Sequence, residues 1–314
     1  MLPRVFVERL TKIVPEHAWE AVLQSFSDPQ VTAFRINTMR ATPETVQATL
    51  VSAGISIRAV AWNPLAFWVL QEDRNRLMAS DPYRKHWIYL QNLSSMVPVM
   101  LLNPQKEEQI LDLAAAPGSK TLQMAALMQN SGSIAAVEVV RKRFFQLQAN
   151  LKAQGATNVR TFLKDGTTIW RHRPNYFDRV LIDAPCSTEA RFREDNPETY
   201  RYWSLRKVHE MAWKQNQLLQ AAIRCARPGG EIVYSTCSFA PEENEAVIEA
   251  VLQQFGEAVC IEPLSVAFPN TQPALEQWED NTFRTDIQYA LRILPTPQME
   301  GFFVAKLRKR MPTD

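Results

Sequence analysis

The sequence predicts an α/β protein in which a small α+β module precedes a doubly wound, mostly parallel sheet. Two observations support this prediction. From about residue 106, short apolar runs alternate with helical patterns, as they do in βαβ units. The first 105 residues instead mix short helical and strand-like pieces punctuated by prolines. We therefore divide the chain into an N-terminal α+β module over residues 1–105 and a larger unit over residues 106–314.

The N-terminal module has recognisable start and stop signals. Residues 10–26 show helical spacing of apolar side chains, and residues 32–37 alternate between polar and apolar as a half-buried strand does. Thr42 is placed to cap a second helix, which has Pro43 at its first position and ends near Gly54. Residues 55–57 alternate again, which favours a further strand.

The larger unit has the alternation of strands and helices that is typical of a parallel sheet. Strands are predicted at residues 109–114, 133–139, 159–163, 179–183 and 231–235, and helices at residues 120–128, 142–154 and 208–225. Short strands separated by helices form βαβ units. Residues 287–294 and 301–307 then predict a terminal antiparallel pair that completes the sheet.

Composition excludes several classes of protein. The net charge of +2 neither demands nor excludes a nucleic-acid partner. Four cysteines without a CxxC pair suit neither a zinc site nor a disulfide-stapled secreted module, and the four histidines lack metal-ligand spacing. No apolar run suits a signal peptide or a membrane span, so we expect a cytoplasmic protein without a metal.

A ligand site is predicted where the first strand of the larger unit ends. In doubly wound sheets, ligands bind beyond the carboxyl ends of the strands, and here small residues lead into a helix start that offers free N–H groups. The turn comprises Ala114, Ala115, Ala116, Pro117, Gly118, Ser119 and Lys120. By itself this turn could serve a nucleotide, a flavin or S-adenosylmethionine, or be only a tight connection. Glu138 ends the next strand, where it could accept both ribose hydroxyls, and Asp165 follows the third, where it could accept from an adenine amino group.

Two cysteines follow consecutive strands at the same edge of the sheet. Cys186 lies in Asp-Ala-Pro-Cys-Ser and Cys237 in Ser-Thr-Cys-Ser. A single cysteine is commonly a small buried apolar residue, and this reading suits Cys225 and Cys260 better. A thiolate at this edge could add to C6 of a cytosine and so make C5 nucleophilic towards a methyl sulfonium.

Such chemistry needs an activated thiol and an accessible base. Lys120 could supply a positive charge for the thiolate, and Asp183 could hydrogen-bond the cytosine amino group and N3. The base itself must be unpaired or turned out of its stack. Enzymes that methylate cytosine in DNA use the cysteine after proline, which here would be Cys186, so the residues alone do not decide between Cys186 and Cys237.

Six sequence motifs together match those of one known family. They lie at residues 34–38, 91–96, 111–121, 183–187, 234–238 and 300–305. With these motifs, the chain resembles the Nop/Sun family of RNA cytosine-C5 methyltransferases over almost its whole length. The resemblance implies a Rossmann-like class I methyltransferase fold, S-adenosylmethionine as cofactor and RNA as substrate. It also implies that Cys237 is the nucleophile and that Cys186 helps to release the methylated product.

The resemblance further implies which residues surround the cofactor. These are residues 114–120, Glu138, Asp165 and Asp183, with Arg143 nearby. Some positions depart from the family pattern: Ala114 and Ser119 replace a cysteine and a second glycine, and Glu138 replaces the commoner aspartate. We expect the turn to stay intact. Residues 188–192 replace a glycine-containing segment, and we expect that loop to affect substrate choice.

For the substrate, the resemblance favours ribosomal RNA over transfer RNA. The end at Asp314 leaves no room for the RNA-binding module that some relatives append, so we expect a bacterial-type member without it. Two alternatives stay open. One is an RNA-binding or ribosome assembly factor that retains the fold, and the other is a DNA cytosine methyltransferase, which the second thiol disfavours. We expect a monomer and no membrane partner.

RNA contacts are expected on basic and aromatic side chains near the thiols. Arg191, Phe192 and Arg193 are favoured, because arginines and aromatic rings stack on unpaired bases. Tryptophans 62, 68 and 87 could do likewise, although core packing is their commoner role. The basic clusters at residues 141–143, 171–173, 206–207 and 308–310 could contact phosphates or simply face solvent. The N-terminal module is expected to pack on the larger unit and help to form an RNA groove.

Overall fold

Four antiparallel strands form the sheet of the N-terminal module in the computed structural model, which describes residues 1–264 and 270–313. The strands are β1 (Thr32–Ile36), β2 (Arg58–Val60), β3 (Asn63–Val69) and β4 (Ile88–Leu90), in the order β2-β3-β1-β4. The module's helices are α1 (Arg4–Ile13), α2 (Trp19–Ser25), α3 (Pro43–Ser52), α4 (Arg74–Ala79) and α5 (Asp81–Arg84). The predicted small α+β module is confirmed.

The prediction of one helix over residues 10–26 is wrong, because two helices occupy this region. Val14 has the extended angles φ −91° and ψ 131°, and Pro15 follows it. Proline disfavours the helical conformation of the preceding residue and has no N–H to donate, so α1 ends at Ile13. Residues 55–57 also form no strand, since β2 begins only at Arg58.

The second predicted helix is confirmed as α3. Its cap is Thr42, whose hydroxyl accepts a hydrogen bond from the Thr45 N–H, and Pro43 is its first residue. The predicted strand at residues 32–37 is confirmed as β1. These local sequence signals therefore predicted the first residue of α3 and of β1 correctly.

Within residues 106–264 and 270–313, nine strands form one sheet. Five strands are parallel: β5 (Gln109–Asp112), β6 (Ser133–Glu138), β7 (Val159–Leu163), β8 (Phe177–Asp183) and β9 (Ala226–Thr236). Four are antiparallel: β10 (Val259–Glu262), β11 (Thr271–Pro273), β14 (Leu291–Ile293) and β15 (Phe302–Lys309). The short strands β12 (Gln277–Trp278) and β13 (Asn281–Thr282) pair separately. The order is β11-β14-β15-β9-β8-β5-β6-β7, with β10 also paired to β15. The predicted terminal antiparallel pair is confirmed as β14 and β15.

In the part of the chain that the structure describes, the helices that pack on this sheet are α6 (Leu93–Leu102), α7 (Ser119–Leu127), α8 (Arg141–Gln154), α9 (Leu205–Cys225) and α10 (Glu245–Phe255). From β5 the chain continues to β6 and β7 on one side, and then to β8 and β9 on the other. The loops that leave β5 and β8 therefore diverge and open a crevice beyond the carboxyl ends of the strands. The predicted α/β fold is confirmed, and the crevice lies where a ligand was expected.

Side-chain amides hold the N-terminal module against the larger unit. Asn37, just after β1, donates from Nδ2 to the backbone oxygen and to Oε1 of Gln154 at 2.9 and 2.8 Å. Gln91, just after β4, donates to Oε1 of Gln123 at 3.0 Å. The module thus packs on the larger unit as expected, while the boundary at residue 105 stays a prediction. Among the described residues, no helix has both the length and the apolar character to cross a membrane.

Candidate functional site

The turn after β5 is shaped by one glycine and one buried acid. Gly118 has φ +107°, a left-handed conformation that favours glycine, and a Cβ there would lie 2.9 Å from a methyl group of Leu147. Asp112, the last residue of β5, accepts a hydrogen bond from the Thr121 hydroxyl at 2.7 Å. Burial raises the pKa of the Asp112 carboxyl to about 7. The turn is therefore fixed at both ends, and α7 begins directly after it.

The two acids predicted beside the cofactor lie at strand ends next to this turn. Glu138 ends β6, is buried, and accepts from the Val140 N–H at 2.8 Å. Arg143, in the first turn of α8, lies 3.6 Å from Glu138 and donates to the carbonyl oxygen of Ala116. Asp165 follows β7 and caps a short 3₁₀ helix by accepting from the Thr167 N–H at 2.9 Å.

These residues line one cavity of about 470 Å³. Its polar wall includes Glu138, Arg143 and Asp165, and Ala114 supplies the small residue at the turn. Its apolar wall comprises Leu113, Val139, Val140, Pro185, Met211, Trp213 and Leu218. The volume and the mixture of apolar walls with a few polar groups are typical of a small-molecule site.

A second cavity, of about 250 Å³, contains the thiols. Cys186, Cys237 and Asp183 line it together with Ala116. Ala114, Arg143 and Pro185 line both cavities, so the two are contiguous. Of the remaining turn residues predicted at the cofactor, Ala115, Gly118, Ser119 and Lys120 line neither of these cavities, and Pro117 is exposed.

Cys186 and Cys237 face each other across adjacent strands. Strands β8 and β9 are parallel with Asp183 opposite Ser235, so both cysteines follow their strands at the same edge of the sheet. Their Sγ atoms lie 3.4 Å apart, and both are free thiols. The hydrogen bond from Cys186 and the charge of Arg191 lower the pKa of Cys237 against the opposing effect of burial. The hydrogen bond with Cys237, together with burial, raises the pKa of Cys186.

Lys120 forms an ion pair with a carboxylate, that of Asp183. It is buried at the start of α7, and Nζ donates to Asp183 Oδ2 at 2.6 Å and to the Ser95 hydroxyl at 2.7 Å. Asp183 also accepts from the Ser235 hydroxyl at 3.1 Å, lines the thiol cavity and leaves 36% of its side chain exposed. Lys120 therefore orients Asp183 rather than a thiol.

Arg191, which we expected only as an RNA contact, and Phe302, which we did not predict as a site residue, also line the thiol cavity. Phe302 begins β15, and its ring centroid is 5.5 Å from Lys120 Nζ. The terminal motif at residues 300–305 was a signal for Phe302, but its distance in sequence from both cysteines hid the contact. For Arg191 the signal was its position five residues after Cys186, which led us to expect an RNA contact and not a residue acting on the thiols.

The expectation that Phe192 and Arg193 stack on RNA bases is wrong. Phe192 is buried, with its ring centroid 4.9 Å from that of Phe6. Arg193 donates to the backbone oxygens of Ser25 and Asp28, so its guanidinium is used inside the protein. Only Arg191 of the three reaches the cavity.

The basic cluster at residues 308–310 is largely structural. Lys309 is buried and donates to Asn175 at 2.6 Å, while Arg308 pairs with Glu231 and Glu262. Of the tryptophans, Trp68 lies below the guanidinium of Arg58, which is 4.7 Å from the ring centroid. Over residues 1–264 and 270–313, no cluster of histidine, cysteine and acidic side chains is arranged to hold a metal.

Comparison with known proteins places the chain in a family. Residues 99–308 match the family described as 16S rRNA methyltransferase RsmB/F, and residues 2–93 match the N-terminal domain of 16S rRNA methyltransferase RsmF. Ribosomal RNA small subunit methyltransferase F of Aeromonas salmonicida is 35% identical over 315 residues, which cover 98% of this chain and 64% of that protein. The protein of the same name from Vibrio campbellii is 34% identical and covers 98% of this chain and 63% of its own length. The chain thus spans less than two thirds of these relatives.

Solved structures give the same fold. A methyltransferase homologue from Pyrococcus horikoshii superposes with a TM-score of 0.79 at 28% identity, covering 98% of this chain and all of that one. NSun6 from Pyrococcus horikoshii has a TM-score of 0.80 at 20% identity, with 99% of each chain covered, and supports the fold alone. Because the family match spans well over half of its residues, the chain belongs to the 16S rRNA methyltransferase RsmB/F family.

Proposed function

We propose that this chain methylates C5 of a cytosine in 16S rRNA, with S-adenosylmethionine as methyl donor, Cys237 as nucleophile and Cys186 as the thiol that assists product release. The observation that carries the proposal is the pair of free thiols, 3.4 Å apart, in a cavity continuous with a nucleoside-sized cavity. A scaffold protein has no need of two thiols there. Family membership supports rRNA as the substrate class.

The residues of the larger cavity fit an adenosyl group. Carboxylates accept from ribose hydroxyls and from an adenine amino group, and Glu138 and Asp165 provide one carboxylate at each of two strand ends. Val139 and Val140 add an apolar surface of the kind that packs on a purine. When bound, S-adenosylmethionine would supply an electrophilic methyl group.

Cys237 would carry out the first step of the reaction, the addition to the cytosine ring. Its pKa is lowered, so the thiolate that adds to a pyrimidine C6 forms more readily there than at Cys186. Addition turns C5 into an enamine-like carbon that attacks the methyl group. Asp183, ion-paired with Lys120, is placed to accept a hydrogen bond from the cytosine amino group and so to hold the base against Cys237.

Cys186 would act after methyl transfer. The C5 proton must leave before the Cys237–C6 bond can break and restore the aromatic ring. The raised pKa makes the Cys186 thiolate, once its own proton has passed to water, the stronger base of the pair; it can accept the C5 proton, after which the electrons of the C6–S bond return to the Cys237 sulfur 3.4 Å away. That position suits a residue that assists the elimination, and it explains why removing Cys186 should leave the adduct intact.

The test is covalent trapping. Wild type, Cys237→Ala, Cys186→Ala and a matched Cys260→Ala control are incubated with S-adenosylmethionine and unmodified 16S rRNA, then run on denaturing gels. We expect a protein–RNA band that accumulates in Cys186→Ala, is absent in Cys237→Ala and is not increased in Cys260→Ala, whose thiol lies in β10. Methylation by Cys237→Ala, with no adduct in Cys186→Ala, would overturn the assignment of the two thiols.

The substrate is tested separately with labelled methyl donor. We expect incorporation into 16S rRNA and none into transfer RNA or DNA offered at the same concentration. Exclusive labelling of transfer RNA would overturn the proposed substrate while leaving the chemistry in place. RNA binding without incorporation, by a protein that binds the methyl donor, would favour the assembly-factor alternative.

A further inference from the structure

The thiol cavity contains an arginine, Arg191, whose side chain pairs with the carboxylate of Glu300. Arg191 ends the 3₁₀ turn Glu189–Arg191 and lines the cavity with Cys186, Cys237 and Asp183. Its side chain is 54% exposed, and Nε donates to Glu300 Oε2 at 3.2 Å. The guanidinium therefore stands at the cavity wall with a single carboxylate beside it.

The turn that carries Arg191 is fixed to the segment that carries Cys237. The N–H of Ala190 donates to the carbonyl oxygen of Cys237 at 3.1 Å. Glu189 is buried and accepts from the Phe239 N–H and from the Trp203 indole, each at 2.9 Å. The residues next to Arg191 are thus hydrogen-bonded to Cys237 and its neighbours, which holds the charge and the thiol in one relative position.

The backbone at Glu300 is also held by contacts with other segments of the chain. Its backbone oxygen accepts from the Ser94 hydroxyl at 2.5 Å. The next residue, Gly301, packs so closely that a Cβ there would lie 2.5 Å from the ring of Phe239. Arg191 and Glu300 are therefore in contact although they lie 109 residues apart in the sequence.

The other cations near the thiols are already engaged. Lys120 donates to Asp183 at 2.6 Å, and Arg143 pairs with Glu138 and donates to a backbone oxygen. The groups that act on Cys237 are Cys186 and Arg191, which lower its pKa, and Glu300 and Asp183, which raise it. Of these four groups, Arg191 is the positively charged one.

We propose that Arg191 is a positioning residue that supplies the positive charge holding Cys237 as a thiolate, and that Glu300 moderates this charge. A fixed cation beside a thiol favours the thiolate, which is the nucleophilic form. The inference rests on the proposed role of Cys237 as nucleophile. It assigns to Arg191 the part that the sequence had suggested for Lys120.

The test measures the ionisation of Cys237 without RNA or methyl donor. Initial rates of iodoacetamide alkylation are followed from pH 6 to 10 by mass spectrometry of the peptide that contains Cys237. In Arg191→Gln the pH of half-maximal alkylation should rise by about one pH unit, because an opposite charge has been removed. Arg191→Lys should stay near wild type, and Glu300→Gln should shift the curve in the opposite direction, to lower pH.

Arg201→Gln is the matched control. Arg201 is an exposed arginine in the same part of the chain that pairs with Glu198, so its loss should leave the alkylation curve unchanged. Thermal melting establishes that each variant folds, and if Arg191→Gln does not fold, Arg191→Met is measured in its place, since it also removes the charge. Unchanged curves in folded Arg191→Gln, or an upward shift in Glu300→Gln, would overturn the inference. Absence of an RNA adduct in Cys186→Ala would instead count against the proposed function, since alkylation needs no RNA.

Discussion

Lys120 and Asp183 form an ion pair at 2.6 Å in which the two partners differ in exposure: 5% of the lysine side chain reaches solvent, against 36% of the aspartate. Removing either partner leaves the other charge behind. A charge left unpaired in a buried position costs far more than one that water can reach. The pair should therefore respond unequally to the loss of its two members.

We predict that Asp183→Asn destabilises the fold by about 1–3 kcal/mol, whereas Lys120→Met costs about 1 kcal/mol or less. In the first variant, buried Lys120 loses its counter-ion. In the second, Asp183 keeps water and the Ser235 hydroxyl as partners. Urea unfolding at pH 7 measures both free energies of unfolding, and a larger loss in Lys120→Met would contradict the argument. Both variants should lose methyl transfer.

A second prediction concerns stability as a function of pH. Burial raises the pKa of Asp112 and of Glu243 to about 7, whereas unfolded carboxyls titrate near 4. The folded state thus binds protons more tightly between these values. The resulting stabilisation is fully present below about pH 4 and is lost as pH rises through 7, on the order of 2 kcal/mol for each group between pH 5.5 and 8.

The isosteric variant Glu243→Gln isolates one of these groups. An amide oxygen can still accept from the Ser187 N–H and from Gln215, and the amide nitrogen can donate to the Ser238 hydroxyl. Urea midpoints at pH 5.5 and 8 should therefore differ less in Glu243→Gln than in wild type. An equal difference in both proteins would show that Glu243 does not titrate near neutrality.

The sequence predicted the parts of the site that follow from strand periodicity. Consecutive parallel strands end at one edge, so residues just after them converge, and this alone brought Cys186 and Cys237 together with Asp183. Glu138 and Asp165 were predicted in the same way. The fold class was predictable for the same reason, since the alternation of short apolar runs with helical patterns extends over most of the larger unit.

Contacts between distant segments were not predictable from periodicity. Arg191 reaches Glu300 only because Thr188, at φ +58°, turns the chain and a short 3₁₀ segment follows. Phe192 looked like a stacking residue, yet its contact with Phe6 in α1 buries it. Whether an aromatic residue that follows a strand faces solvent or the core depends on which remote segment covers it, and a local sequence pattern carries no such information.

A third prediction is that hydrogen peroxide oxidises the two thiols, Cys186 and Cys237, to a disulfide. The Cys237 thiolate attacks hydrogen peroxide to give a sulfenic acid and hydroxide, and the Cys186 thiol then displaces water to form a disulfide. Because the sulfurs lie 3.4 Å apart, little movement is needed. We expect a mass loss of two hydrogens confined to this pair and reversed by dithiothreitol. Cys186→Ala should accumulate a dimedone-reactive sulfenic acid instead, and the absence of both products would contradict the lowered pKa of Cys237.

The last prediction concerns an exposed aromatic residue that lines the larger cavity. Trp213, on α9, leaves 65% of its surface exposed, and Val139 and Val140 beside the same cavity are 63% and 47% exposed. Exposed apolar groups gathered around a cavity commonly become covered when a ligand binds. We expect the Trp213 indole to pack on the adenosyl group, since flat rings gain both apolar burial and stacking.

Trp213→Ala should therefore weaken the binding of S-adenosylhomocysteine by about tenfold, which corresponds to roughly 1.4 kcal/mol. Trp213→Phe should keep most of the affinity, because a ring remains. Tyr202→Ala serves as the control, since Tyr202 is also an exposed aromatic residue but does not line the cavity. Isothermal titration calorimetry measures all three dissociation constants. Equal affinities for wild type and Trp213→Ala would mean that the valines and the two carboxylates hold the adenosyl group without the indole.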